Sequence, residues 1–312
     1  MKKFGFVFPG QGSQKLGMLK ELAQQSEIVE QTFRQASEVI ELDLWEVAQL
    51  DSGELLDQTH ITQPLLLAAS VAIWRLWNQA QAPQPSVLAG HSLGEYSALV
   101  CAGVMEFTDA VSMLHQRGQF MQTAVPLGTG KMAAILGLDN DLIDEICQQA
   151  AAGQVVSAAN FNSPGQTVIA GDTEAVERAM VLCKDAGAKR ALPLKVSVPS
   201  HCALMKPAAD KLEQELLRLE FSPPSIPVVQ NVNAAISTTT EQIKQSLVEQ
   251  LISPVLWADS IQLISKTGVS KLLECGPGKV LGGLTKRIDP ELSCFASDDP
   301  ISLENARMEM TG

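Results

Sequence analysis

No two of the six cysteines in this 312-residue chain form a CxxC pair; they stand scattered at positions 101, 147, 183, 202, 275 and 294. That spacing gives no metal knuckle or dithiol redox centre, and it fits reduced thiols, mostly in the core, of a cytoplasmic protein. The four histidines fall in neither HExxH nor Cys/His spacing, so no metal site is expected. Long apolar runs are missing as well. The longest nearly apolar stretch, residues 64–74, is far shorter than the ~20 residues a membrane-spanning helix needs. The opening segment MKKFGFVFPGQG has two lysines but no small-residue cleavage site, and it reads as a first strand rather than a secretory signal. Nor is there an excess of positive charge: the formal net charge of −12 argues against nucleic acid as a partner. Internal repeats, low-complexity tracts and long linkers are absent too. The reading is therefore a protein with no nucleic-acid or membrane partner, taken as a monomer.

What the chain does have is apolar mass, 46% of its residues, enough for a large core in one domain or two coupled ones. The middle is the most legible part. Met132–Leu138 reads as a strand, a helix opened by Asp139 or Asp141 closes at Gly153, and Gln154–Ala159 is a second strand. A turn at 162–165 leads to strand Gln166–Ala170; Asp172 or Thr173 caps a helix to Ala186, and Lys189–Val196 is a fourth strand. This is the β-α-β-β-α-β order of ferredoxin-like units. It predicts a subdomain at 126–198 inserted into a large α/β core made of 1–125 and 199–312, with a cleft between them. In the core, strands at Phe4–Phe8, Val87–Ala89, Val228–Gln230 and Lys271–Glu274 alternate with helices, among them helices before and after Ile61. The fold class is α/β, a mostly parallel sheet covered on both faces. The last dozen residues carry no usable pattern.

The sharpest motif is GHSLG, which sets Ser92 between the apolar run Val87–Ala89 and a helical stretch ending at Gly103. A strand that reverses sharply into a helix has no room for side chains beside the turn, so Gly90 and Gly94 flank a hydroxyl pushed out at the strand's end. Ser92 is a candidate nucleophile; a bare GxSxG also arises by chance as a tight turn. A serine alcohol needs a base within hydrogen-bond reach. His91 should point away from its neighbour, His60 precedes an apolar helix, and His115 falls on a polar helix edge. His201 is read as lying in the first turn of a helix from about Ser200 to Leu219, where the dipole would keep the ring neutral. It stands as the base or as a locally bonded helix residue.

A helical wheel over Thr108–Met121 sets Arg117 on the arc of Ala110, Val111, Met113, Leu114, Phe120 and Met121. A guanidinium facing a core needs a carboxylate. Either an internal Asp or Glu supplies it, or the substrate brings it. Near the start, FVFPGQGSQ puts a glycine turn after strand one, but Lys15 breaks the dinucleotide fingerprint. Gly10 and Gly12 leave the N–H of Gln11 exposed, and with the N–H of Leu93 it would suit a developing oxyanion; a plain turn fits as well.

FVFPGQGSQ, TQP at 62–64, GHSLGEYSALVCAG around Ser92, RG at 117–118, NFNSPGQ at 160–166, VSVPSHCALM around His201 and GPGKVLGGLTKRI near the end together resemble the malonyl-CoA:acyl carrier protein transacylases of bacterial fatty acid synthesis, over nearly the whole chain. The resemblance implies a hydrolase-like core with a ferredoxin-like insertion. It makes Ser92 the acyl acceptor, His201 its base and Arg117 the ligand of the malonyl carboxylate. It assigns the Gln11 and Leu93 amides to the oxyanion hole and the backbone carbonyl of Gln250 to orienting the histidine. No cofactor is implied: the coenzyme A thioester is a substrate, and the phosphopantetheine belongs to the carrier protein. The partners the resemblance implies are malonyl-CoA and acyl carrier protein. Candidate docking residues are Lys184, Lys189, Arg190 and Lys195 on the insertion and Lys279, Lys286 and Arg287 on the core. A serine thioesterase and a non-catalytic carrier-binding module are the rival classes.

Overall fold

The computed structural model of the chain describes residues 3–194 and 198–311. The chain opens with β1 (Lys3–Phe8), whose residues after Lys3 are all buried. Four helices follow: α1 (Lys20–Gln25), α2 (Ile28–Ile40), α3 (Leu44–Gln49) and α4 (Thr59–Gln79). Next come β2 (Val87–Gly90), α5 (Gly94–Cys101) and α6 (Phe107–Ala124). After these lie β3 (Gly130–Leu136), α7 (Asn140–Ala151), β4 (Val156–Ser163), β5 (Gln166–Asp172), α8 (Thr173–Asp185) and β6 (Arg190–Pro193). The final third is α9 (Lys206–Arg218), β7 (Val228–Val229), α10 (Thr240–Gln250), α11 (Trp257–Lys266), β8 (Val269–Glu274), α12 (Val280–Ile288), β9 (Ser293–Phe295) and α13 (Pro300–Thr311).

The first sheet runs β7-β2-β1-β8-β9, and every neighbouring pair is parallel. Side chains alternate across a strand, so Phe6 and Phe8 enter the core shared with α2, α4 and α6, while Val7 enters the one shared with α11 and α12. Burial on both faces explains why these strands read as continuous apolar runs. The second sheet, β4-β5-β3-β6, is antiparallel throughout. Helices α7 and α8 cover one of its faces. Its other face presents Met132, Ala159, Val168 and Ala170 to Cys202, next to His201.

The element order expected for the middle of the chain holds, with shifted ends. Strand β4 runs on to Ser163 because the 162–165 turn is tight, and β5 runs on to Asp172, where it pairs with Gly130 of β3. Strand β6 ends at Pro193, and the rest of the expected fourth strand, 195–196, lies outside the described residues. Asp172 does not cap α8 with its side chain; its Oδ2 accepts the Val155 N–H at 2.7 Å instead.

Two larger differences appear in the core. Residues 300–311, near the end of the chain, form α13, whose Leu303, Ala306 and Met310 are buried at helical spacing. The Asp299 side chain accepts the Ser302 N–H ahead of it. Instead of helices on either side of Ile61, one helix, α4, spans it with Pro64 inside. Proline has no N–H for the carbonyl four residues back, so the His60 carbonyl loses its helical donor. His115 Nδ1 supplies one from α6 at 2.9 Å. Close approach of α4 and α6 at this point depends on Gly118, where a Cβ would lie 2.3 Å from the His60 Cα. Gly118→Ala should therefore force the helices apart, lowering stability by about 2 kcal/mol in urea unfolding. A variant as stable as the parent contradicts this packing.

Candidate active site

Ser92 sits at φ 54° between β2 and α5. A Cβ on Gly90 would fall 1.9 Å from the Gly94 carbonyl, and one on Gly94 would fall 2.2 Å from the Phe8 oxygen. Only glycine fits at either side, as the motif required. Asn231, just past β7, straps the elbow: its Oδ1 accepts the Ser92 N–H at 2.7 Å and its Nδ2 donates to the Gly90 carbonyl at 2.6 Å.

Ser92 Oγ lies 2.8 Å from His201 Nε2, and His201 Nδ1 lies 2.7 Å from the Gln250 backbone oxygen. A carbonyl only accepts, so Nδ1 carries the proton and Nε2 is left to accept from the serine hydroxyl. His201 is not in a helix, contrary to the sequence reading. It occupies a left-handed turn, φ 62°, ahead of a 3-10 turn at Ala203–Met205 and the start of α9 at Lys206. Its neutrality has a different origin from a helix dipole. Burial, then the positive charge of Arg117, lowers its pKa to about 3, against the opposing bond to Gln250.

Arg117 is 1% exposed and forms no ion pair among the described residues. Its Nη1 donates to Gln63 Oε1 at 2.7 Å and its Nη2 to Gln250 Oε1 at 2.9 Å, while the ring of Tyr96 lies 5.6 Å from the guanidinium carbon. Neither internal carboxylate nor solvent neutralises it; two amide oxygens hold it in place. Burial lowers its pKa, with Tyr96 and Glu95 opposing.

Gln11, His91, Ser92, Leu93, Arg117 and His201 line one cavity of about 150 Å³, which Met132 and Asn160 of the second sheet help to close. The backbone N–H groups of Gln11 and Leu93 make no hydrogen bond within the described residues. Gln250 is the one expected site residue that reaches the cavity only through others. His91 borders it, but its Nε2 is engaged by Asn162 Oδ1 at 2.8 Å and its ring rests 5.3 Å from Trp257, so it does not serve Ser92. His60 and His115 are paired at the α4–α6 contact. Among the described residues no cluster of metal-ligating side chains occurs.

A model described as acyl transferase domain matches residues 5–281. The malonyl CoA-acyl carrier protein transacylase of Salmonella typhimurium is 58% identical over 98% of this chain and 99% of its own. The Bacillus subtilis protein of that name is 44% identical over 98% and 96%. An acyl carrier protein S-malonyltransferase from Vibrio cholerae superposes with a TM-score of 0.95 at 60% identity, covering 97% of this chain and 99% of that one. A malonyl-transacylase solved with its type II PKS acyl-carrier protein gives 0.97 at 57%, covering 98% and 99%. The chain belongs to the malonyl CoA-acyl carrier protein transacylase family.

Three polar residues of this transacylase site escaped the sequence reading. Gln63 stands out in the sequence only as the middle of TQP. Asn231 carries no pattern signal. Glu95 is the one charged residue of α5, completely buried, and a carboxylate so close to the apolar Ala98–Cys101 stretch is the available clue. Its Oε2 accepts from Gln250 Nε2 at 2.8 Å and from the Asn231 N–H at 3.1 Å.

His201 enters with its pKa depressed, so it stays neutral and able to accept a proton as the pH falls through the usual histidine range. Release of p-nitrophenol from p-nitrophenyl acetate should stay within about twofold between about pH 8 and pH 5. A sigmoidal loss centred near an ordinary histidine pKa contradicts the burial effect.

Proposed function

We propose that this chain moves the malonyl group from malonyl-CoA to the phosphopantetheine thiol of an acyl carrier protein through an ester on Ser92, supplying fatty acid chain elongation. One observation carries the reading: a serine–histidine pair opens onto the same cavity as a buried guanidinium that has no carboxylate partner within the described residues. The first is what acyl transfer needs; the second is what a cargo with a free carboxylate needs.

In the first half-reaction Ser92 Oγ attacks the thioester carbonyl while His201 Nε2 takes its proton. The negative charge that develops on the carbonyl oxygen falls to the free N–H groups of Gln11 and Leu93. The C–S bond breaks, and His201 returns the proton to the departing thiolate of coenzyme A. The second half runs the same way with the carrier's thiol as nucleophile. Gln250 offers a neutral carbonyl where other triads place a carboxylate, so it fixes the histidine's tautomer and stabilises the imidazolium less. Arg117 selects the cargo. An acyl group without a carboxylate leaves the guanidinium buried and unpaired, which penalises it relative to malonyl.

Residues 126–198 read as an inserted subdomain that supplies one wall of the cleft. Exposed basic residues of β6 and α12 approach one another around Gln166. Arg190 and Gln166 both pair with Leu136, from opposite sides of β3, and Arg287 of α12 donates to Gln166. Lys189 and Lys286 flank them, which suits an acidic carrier protein; Lys195 lies outside the described residues. No helix of the described residues is long and apolar enough to cross a membrane. A cytoplasmic monomer without a resident cofactor is the reading that goes with these parts.

Arg117→Ala should lower kcat/KM for malonyl-CoA roughly 100-fold more than for acetyl-CoA, the size of a lost charge-assisted contact. Equal losses for the two thioesters would refute the carboxylate role.

A further inference from the structure

We infer that Glu95 is a positioning residue for malonyl recognition: it locks the Gln250 side-chain amide in the one orientation that turns an oxygen toward Arg117. The inference rests on the reading of Arg117 as the carboxylate ligand.

Consider what each end of the Gln250 amide faces. On one side is a guanidinium, which can only donate, 2.9 Å from Oε1. On the other is the Glu95 carboxylate, 2.8 Å from Nε2, which when ionised can only accept. A reversed amide would set donor against donor and acceptor against acceptor at both contacts. Nε2 also donates to the Ser92 carbonyl at 3.1 Å, so the same amide ties the nucleophile's backbone to the guanidinium. Glu95 in turn is fixed by the Asn231 N–H at 3.1 Å, and Asn231 is the strap of the elbow. One carboxylate thus fixes the Gln250 amide that meets Arg117.

Glu95 and Arg117 form no ion pair within the described residues, so the acid leaves the cation's donors open to the cargo. Its other oxygen, Oε1, is buried and has no hydrogen-bond partner among the described residues. The contribution of Glu95 to the lock needs the ionised acid, because a protonated carboxyl can also donate and would no longer oppose the reversed amide. Burial raises the pKa of Glu95 to about 7, opposed by its bonds to Gln250 and Asn231 and by the Arg117 charge. The titratable groups whose charge couples to it are Arg117 from α6 and Tyr96 from its own helix. His201, reached through Gln250, stays neutral in this range.

The test is the ratio of kcat/KM for malonyl-CoA to that for acetyl-CoA in Glu95→Gln, in Arg117→Ala and in the double variant. The isosteric amide should lower the ratio about tenfold, mainly through KM for malonyl-CoA, and should lower it no further once Arg117 is gone. In the unaltered protein the same ratio should fall as the pH drops from about 8 to about 6, a readout that does not depend on the variant folding. Glu95 also repels an incoming carboxylate through space. If that repulsion prevailed, Glu95→Gln would raise the ratio, and the inference would be overturned. Equal losses for both thioesters, additivity with Arg117→Ala, or a ratio flat with pH would each overturn it as well. An Arg117→Ala variant that keeps full selectivity would instead sink the underlying role of Arg117, so the two failures are distinguishable.

Discussion

A guanidinium buried in protein and held by two glutamine oxygens is the constraint on which the rest of this molecule turns. Burying a cation without a counter-ion is costly, and the cost is tolerable only if hydrogen bonds satisfy it or a partner arrives. Here Gln63 and Gln250 satisfy part of the donor set, and Arg117 lines a cavity. The cavity also holds the Ser92 hydroxyl and the His201 ring, so the unmet charge and the reactive oxygen share one small space. The charge acts on the base too: with burial, it keeps His201 neutral.

Holding that arrangement falls to backbone features on either side of the site. Pro64 frees the His60 carbonyl, His115 takes it, and Gly118 lets α4 and α6 touch, which brings Gln63 beside Arg117. On the other side, the glycines around Ser92 allow β2 to turn into α5 without collision, and Asn231 pins the turn. The end of α10 delivers Gln250, whose backbone serves the histidine and whose side chain serves the arginine. One residue thereby links the histidine to the guanidinium.

Much of this was legible in the sequence where the signal is local. The GHSLG elbow follows from glycine sterics, and the β-α-β-β-α-β middle follows from periodicity and turn residues. Arg117 was visible as a charge on an apolar helical arc. What was not legible depends on distant approach. The Gln250 amide meets Arg117 across 133 residues, and a glutamine in a helix gives no hint of such a partner. The turn that carries His201 is left-handed because tertiary packing holds it so, whereas local pattern favoured a helix there. The order of strands in the parallel sheet likewise depends on crossovers rather than on composition. α13 is a different case: its cap and its Leu303, Ala306 and Met310 spacing were present and were passed over.

The central claim is that the Ser92 oxygen carries the cargo between two thiols. Intact-mass spectrometry of the protein mixed with malonyl-CoA, alone and then with holo acyl carrier protein, tests it most directly. The account predicts a single malonyl adduct that persists without a thiol, is absent in Ser92→Ala, and moves to the carrier when that is added. An unmodified protein, or steady release of free malonate with no carrier present, would contradict it.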